Sequence, residues 1–327
     1  QAAMAMNLSG TRQGGATSEA GAASRREAPA RVTGVTTVPS FHIAGADLPA
    51  TSESCHVIEE DSLTIDIEDI GSYTLMWTPT AATSGATGYT PVDGVLGDAS
   101  TPERLALATG FAFTEGIIEG LADIRSMSAC PDTPGVVRMV LENPGRVVTR
   151  RRNVLVTSGC GVCGSREFIE NNAFGLRTVP DRMRLDAARF APLMAAMHAS
   201  QQVFTCTGGA HAAAIFDESG RIRAVAEDLG RHNALDKVIG RTLLDGSGFE
   251  RCGVLLSSRL SLEMVSKAVR ARLEVIAAVG APTSLAIDVA RRFGLTLCGF
   301  VRKERATMYT HPHRITNVAR TRAAGAP

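Results

Sequence analysis

The sequence predicts a layered α/β fold built on a largely parallel sheet, with a smaller mixed α+β region ahead of it. Two observations point there. From residue 186 onward, segments of helical period alternate with short apolar, β-branched runs. Before residue 160 that alternation is absent, and strand-like runs surround one apolar helix. A chain of 327 residues, 44% of them hydrophobic, can bury a substantial core in either one large domain or two modest ones.

In the first half, 55–67 and 71–77 read as strands, 102–120 as a helix, and 135–142 and 146–157 as further strands. The helix carries Leu105, Leu107, Ala108, Phe111 and Ile118 on a broad apolar face. In the second half, helix 186–200 places Phe190, Leu193, Met194 and Met197 at i, i+3, i+4, i+7 spacing. A strand at 202–206 is expected to end in the turn Thr207-Gly208-Gly209. Strands 211–216 and 222–227 flank Asp217-Glu218-Ser219-Gly220, a hairpin signature. Helix 233–245, strand 252–257, helix 261–273 opened by Ser261, strand 274–279, helix 283–293 closed by Gly294, and strand 295–301 complete the pattern.

Composition removes several function classes. A formal charge of +1 gives no nucleic-acid footprint, so any anion must be held by a local site. No apolar run reaches the roughly 20 residues of a membrane span. The most apolar stretch, 275–301, is broken by Pro282, Asp288, Arg291 and Arg292. Seven cysteines, an odd number and mostly scattered, suit a reducing compartment, and a cytoplasmic location is expected. Residues 1–35 are Ala, Gly, Ser, Thr and Arg with almost no large apolar side chains, which predicts a disordered tail. They lack the apolar centre of a secretory signal, although the arginines faintly resemble a transit peptide. Residues 80–100 read as a surface loop and 319–327 as a flexible tail.

Residues 159–164 read Gly-Cys-Gly-Val-Cys-Gly. Two thiols at this spacing, Cys160 and Cys163, can share a metal, form a reversible disulfide or pass a sulfur atom. Glycine loses the most entropy on ordering, so this loop is expected to move, which suits a carrier thiol better than a rigid metal cage. Arg150, Arg151, Arg152 and Arg166 flank it and favour the thiolate. Tetrahedral zinc needs two more ligands, yet there is no second Cys-x-x-Cys, and His311 and His313 are the only tight histidine pair. Zinc, thiol chemistry and an incidental pair all remain compatible with the spacing.

A second constellation crowds one strand-to-helix turn: Glu227, Asp228, Arg231, His232 and Asn233, with Asp236 and Lys237 a turn later. Open α/β sheets bind ligands where strands meet helix N-termini. A capped helix with solvated charges is the plain alternative. His211, beside its glycine turn, fits a structural or a functional role equally. Ser257 and Arg259 follow one strand and Arg302, Lys303 and Arg305 another, where a phosphate-bearing ligand would suit them; an ordinary basic turn explains the latter three as well.

These segments carry a resemblance. GCGVCG, TGGAHAAAIF, EDLGRHNALDKVIG, SSRLSLEMVSKAV, APTSLAIDVARRFGLTLCGFVR and GFAFTEGII resemble, over roughly 70–320, the formate dehydrogenase accessory sulfurtransferase family, FdhD. The resemblance implies a cytidine deaminase-like layered α/β domain with a smaller N-terminal α+β domain, and a homodimer. The corresponding division is 36–165 and 166–318. It implies that a cysteine desulfurase loads sulfur on Cys160 as a persulfide. The sulfur then passes to the molybdenum bis-molybdopterin guanine dinucleotide cofactor before its insertion into formate dehydrogenase. The family's cofactor-binding segment maps onto Gly299, Phe300, Val301, Arg302, Lys303, Glu304 and Arg305, and the guanine-nucleotide pocket draws on Asp228, Arg231, His232, Asn233, Asp236 and Lys237. No resident metal, nucleic acid or membrane partner is implied.

Two departures stand out. The 80–100 stretch is longer than the family pattern, and Ser258 stands where glycine is expected, which bears on Ser257 and Arg259. A zinc deaminase is a rival on fold grounds. It requires His-x-Glu followed by Pro-Cys-x-x-Cys. Here His211 is followed by Ala212 and Ala213, and the Cys-x-x-Cys precedes that histidine behind Gly159. A thiol–disulfide oxidoreductase and a non-catalytic cofactor chaperone are the other rivals. The first requires both cysteines equally, and the second requires neither.

Overall fold

The computed structural model describes residues 32–43, 50–81, 87–96, 102–130, 132–147, 175–302 and 305–318. In chain order these form β1 (Val35–His42), β2 (Thr51–Ile58), β3 (Asp61–Ile67), β4 (Gly71–Trp77), β5 (Thr87–Thr90), β6 (Gly94–Leu96), α1 (Glu103–Thr114), β7 (Ile124–Ala129), β8 (Val136–Leu141) and β9 (Leu185–Asp186). There follow α2 (Phe190–Ala199), α3 (Gln202–Thr207), β10 (His211–Asp217), β11 (Ile222–Asp228), α4 (Arg231–Leu244), β12 (Cys252–Leu256), α5 (Leu262–Arg270), β13 (Val275–Ala278), α6 (Ser284–Arg292), β14 (Thr296–Arg302), β15 (Arg305–Thr310) and β16 (Ile315–Thr316).

The layered α/β fold expected from the alternating pattern is present. Its sheet has the order β11-β10-β12-β13-β14-β15. Strands β12, β13 and β14 run parallel, with β10 antiparallel to β12 and β15 antiparallel to β14. Side chains alternate across it. Ala212, Ala214, Phe216, Leu255, Val275, Ala277 and Cys298 face one apolar cluster with Phe190, Leu193 and Met197 of α2. Ala213, Ile215, Val254, Leu256, Ile276, Ala278 and Leu297 face a second cluster with α4, α5 and α6. Near-continuous apolar strands are what a sheet covered on both faces demands.

The second sheet has the order β4-β3-β8-β7-β5-β6. Its inward residues Leu63, Ile65, Val137, Met139 and Met127 belong to the same cluster as α4 and α5, so the two sheets share one core. Helix α1 joins them. It is buried from Arg104 to Thr114, where the sequence pattern promised only one apolar face. Its contact with α4 is close because both helices offer glycine at the crossing. A Cβ on Gly110 would collide with the Asp236 carbonyl, and one on Gly240 with the Ala106 carbonyl. The expected division at residue 165 falls outside the described residues.

Several sequence expectations are corrected. Residues 202–206 form helix α3, not a strand. The buried Glu227 carboxylate accepts the Val203 and Phe204 amides at 2.9 Å each, capping the helix, and Gly208 ends it at φ 68°. Long-range capping overrides the β-like Val-Phe-Thr-Cys-Thr composition. The loop expected at 80–100 contains β5 and β6, stabilised by pairing of β5 with β7. The strand expected at 55–67 is broken at Glu59 into a β1–β2 hairpin and β3. Helix α1 stops at Thr114, six residues early, where Gly116 turns the chain at φ 75°. Strands β7 and β15 were not anticipated. Of the tail expected at 1–35, residues 1–31 lie outside the described residues, and Val35 already opens β1; the tail 319–327 and most of the expected strand 146–157 also lie outside the described residues.

Candidate functional site

Strand polarity brings one set of residues to a single edge of the first sheet. The ends of β11, β12, β13 and β14 point the same way, and antiparallel β10 and β15 begin there. His211 therefore lies opposite Asp228, and Arg305 opposite Arg302. The N-termini of α4 and α5 open onto the same edge, as ligand-binding α/β sheets require.

Turns lace this edge together. Gly280 donates its amide to the Ser258 carbonyl at 3.1 Å, and Phe300 donates to the Gly280 carbonyl at 3.1 Å. Gly280 sits so close that a Cβ there would meet the Arg259 backbone. Ser257 Oγ accepts the Ala212 amide at 2.8 Å, tying β12 to β10. Ser258, which replaces the expected glycine, is buried and donates its hydroxyl to the Arg259 carbonyl at 3.1 Å. Gly299 is enclosed and Val301 fully buried, so both shape the strand. Phe300 between them adopts φ 54° at a bulge and leaves 44% of its surface exposed. A left-handed non-glycine residue carries strain of order 1–3 kcal/mol, kept when the surroundings impose it. Arg259, Arg302 and Arg305 are exposed beside it. Lys303 and Glu304 lie outside the described residues, as do Cys160, Cys163 and the flanking Arg150, Arg151, Arg152 and Arg166.

The 228–237 constellation divides into two groups, which corrects its reading as one ligand-facing set. Asp228 is fully buried and accepts from the Thr78 amide at 3.1 Å, the Gly230 amide at 2.8 Å and Asn233 Nδ2 at 3.0 Å. Asn233 also donates to the Met76 carbonyl at 2.7 Å. Lys237 Nζ contacts Asp228 at 2.7 Å, Glu103 at 2.8 Å and the Thr78 carbonyl at 2.7 Å, over the Trp77 ring. Asp236 accepts from Thr114 Oγ1 at 2.8 Å and Lys267 Nζ at 2.9 Å. These four side chains spend their hydrogen-bonding capacity joining the two sheets. A buried polar group without such partners costs 1–3 kcal/mol or more, so their density marks an internal seam.

Arg231, His232 and His211 remain at the edge, half-buried. His232 Nε2 stands 2.8 Å from Glu263 Oε2 on the first turn of α5. That contact, against the opposing effect of burial, holds the Glu263 carboxyl below the usual carboxylate range, with Lys267 and Arg231 adding to it. Burial, then the Arg231 charge, pushes the His211 imidazole below the usual histidine range. Glu263 was missed at the sequence level because an acid on a helix's first turn is adequately explained by the helix dipole. Among the described residues no group of three or more His, Cys, Asp or Glu side chains is arranged to hold a metal ion, and no helix is long and apolar enough to cross a membrane.

The FdhD/NarQ family matches residues 99–316, a stretch that includes every strand end of the edge and, of the seam, Glu103, Thr114, Asp228, Asn233, Asp236, Lys237 and Lys267. The chain belongs to the FdhD/NarQ family. Among the relatives, "Sulfur carrier protein FdhD" of Thermoplasma acidophilum is 39% identical over 71% of this chain and 82% of its own length. Its counterpart in Bordetella bronchiseptica is 36% identical over 84% of this chain and 92% of its own. The crystal structure described as a putative formate dehydrogenase accessory protein from Desulfotalea psychrophila superimposes with a TM-score of 0.63 at 22% identity. It covers 86% of this chain and 99% of that one, so the fold of this FdhD/NarQ member is shared across its described sheets.

Proposed function

We propose that this FdhD/NarQ member is a sulfur carrier serving formate dehydrogenase. Cys160 receives sulfur from a cysteine desulfurase and hands it to the molybdenum bis-molybdopterin guanine dinucleotide cofactor, which is substrate here, not a resident group. The observation that carries this reading is the family match over residues 99–316 to proteins named sulfur carriers, in a chain that keeps Cys160-Gly-Val-Cys163 between glycines. In the transfer, the Cys160 thiolate attacks the terminal sulfur of the donor's persulfide. A new S–S bond forms, the donor's thiolate leaves, and the terminal sulfur stays on Cys160 for onward delivery.

The sheet edge is the region proposed to hold the cofactor's nucleotide. Arg302 and Arg305 are exposed at the β14–β15 bulge beside the exposed ring of Phe300, and Arg231, His211, Ser257 and Arg259 border the same edge. Cations favour phosphate, and an exposed ring offers a face for a base. A dimer in the cytoplasm is part of the same reading.

Mass spectrometry after incubation with a cysteine desulfurase and cysteine tests the carrier. An added sulfur is expected on Cys160, and modification confined to the scattered cysteines defeats the assignment. GDP binding tests the edge. Arg302→Ala/Lys303→Ala/Arg305→Ala is expected to weaken it strongly, each charge-assisted contact contributing roughly 1.5–3 kcal/mol. Unchanged affinity shows that the nucleotide is held elsewhere.

A further inference from the structure

We infer that the β1–β2 hairpin is an arm through which two copies of this chain pair, β2 lying antiparallel to the β2 of the second copy with Cys55 on the twofold axis. Such pairing rests on the dimer proposed above and gives that dimer its surface. No residue of either strand is buried, and Phe41 and Ile43 stand 75% and 71% exposed at the far end of the arm. The root is held where β2 rests on α3 and Ile58 lies against Gly209. Two strands by themselves are marginal in water, and further strands are what secure them.

The ladder decides which edge is open. The Glu59 amide donates to the Gly34 carbonyl at 2.8 Å, and with Val35 opposite Ile58 the hydrogen-bonded positions recur at every second pair. Glu53, Cys55 and Val57 therefore bond to β1, while Ser52, Ser54, His56 and Ile58 turn their amides and carbonyls outward. On β1 the outward set contains Pro39, which has no N–H, so that edge is interrupted. The β2 edge carries neither proline nor lysine and pairs with no other strand among the described residues.

Full overlap of the four outward residues with those of a second copy fixes the register. Ser52 then faces Ile58 of the partner subunit, Ser54 faces His56 of the partner subunit, and Cys55 faces Cys55 of the partner subunit. Cys55 is exposed and falls at a non-hydrogen-bonded position, where facing Cα atoms are about 4.5 Å apart, within the reach of a disulfide. Charge permits the contact. The β2 carboxylate, Glu53, stands 3.7 Å from His42 of its own hairpin. In this register the two Glu53 side chains are displaced by about 14 Å along the strands, so no like charges oppose each other. An uninterrupted edge whose pattern is centred on one residue suits a second copy, because a twofold axis across the sheet makes the two strands antiparallel.

Sedimentation over a range of concentrations and oxidation by diamide, both on the full chain, test this. Diamide takes two electrons and two protons from two facing thiols, leaving a disulfide and its own hydrazine. Wild type is expected to give a disulfide-linked dimer that persists in Cys160→Ser/Cys163→Ser and is lost in Cys55→Ser. Ser54→Pro removes an outward N–H without touching the bonds to β1, and is expected to raise the dimer dissociation constant about tenfold or more. Cys55→Lys changes only an exposed side chain, sets two ammonium groups face to face, and is expected to do the same, most strongly at low salt. Wild type that is monomeric at every concentration overturns the dimer reading and the proposal with it. A dimer whose dissociation constant is unmoved in Cys55→Lys overturns the hairpin as its interface and leaves the dimer reading standing. Weakening in the variants without a Cys55 cross-link in wild type overturns the register.

Discussion

Asp236 of α4 and Lys267 of α5 form an ion pair of 2.9 Å with side chains only 2% and 8% exposed, closed from the α1 side by the Thr114 hydroxyl. Burial works to lower the Lys267 pKa, but the charges of Asp236 and then Glu115 overcome it and hold the ammonium above its ordinary range. The pair ties α4 to α5 and, through Thr114, to α1, alongside the Lys237–Glu103 ion pair that joins α4 to α1.

Removing one partner leaves the other charge buried. Lys267→Ala is expected to cost about 3–5 kcal/mol of stability, whereas replacing both Asp236 and Lys267 by apolar residues of similar size is expected to cost much less. Urea midpoints of the single and double variants check this, and a double variant as unstable as the single ones contradicts it.

Close approach of α1 and α4 depends on Gly110 and Gly240. The groups a new methyl would meet are backbone carbonyls of Asp236 and Ala106, which cannot swing aside as a side chain could. Gly240→Ala is expected to cost about 3 kcal/mol or more, and Gly246→Ala, whose added Cβ meets nothing within 4 Å, only the smaller strain of its φ of 65°. Equal losses in the two variants would show that the crossing is looser than described.

His211 supplies a pH signature. Its folded pKa lies below the ordinary histidine value because of burial and Arg231. Between the two values the unfolded chain binds more protons than the folded one, so this group's contribution makes stability fall as pH drops below about 6.5. His211→Gln is expected to flatten that part of the stability profile between pH 5 and 7. An unchanged slope refutes the assignment.

The thiols separate persulfide carriage from dithiol redox chemistry. A redox cycle needs the second thiol to resolve a mixed disulfide, while a carrier can work with one. Cys160→Ala is expected to abolish formate dehydrogenase activation in cells lacking their own copy, and Cys163→Ala to keep a measurable part. Equal loss in both, with about one zinc per chain in the wild type, points to a metal site instead.

Much of the fold could be read from the chain itself. The alternation from 186 onward gave the parallel core strands, because a strand covered on both faces must be apolar throughout and its helices must show period 3.6. The family-bearing segments and the Cys160/Cys163 pair were visible for the same local reason: each is contiguous in sequence. What needed tertiary structure was anything set by a distant partner. Residues 202–206 are helical because Glu227 caps them from another element. Residues 87–96 are strands because β7 lies alongside. Within EDLGRHNALDK, helical spacing could not tell Asp228, Asn233, Asp236 and Lys237, consumed by Met76, Thr78, Glu103, Thr114 and Lys267, from Arg231 and His232 at the edge. Charge and residue type are local properties, but whether a charge faces a ligand or a buried counter-charge depends on what the fold packs against it.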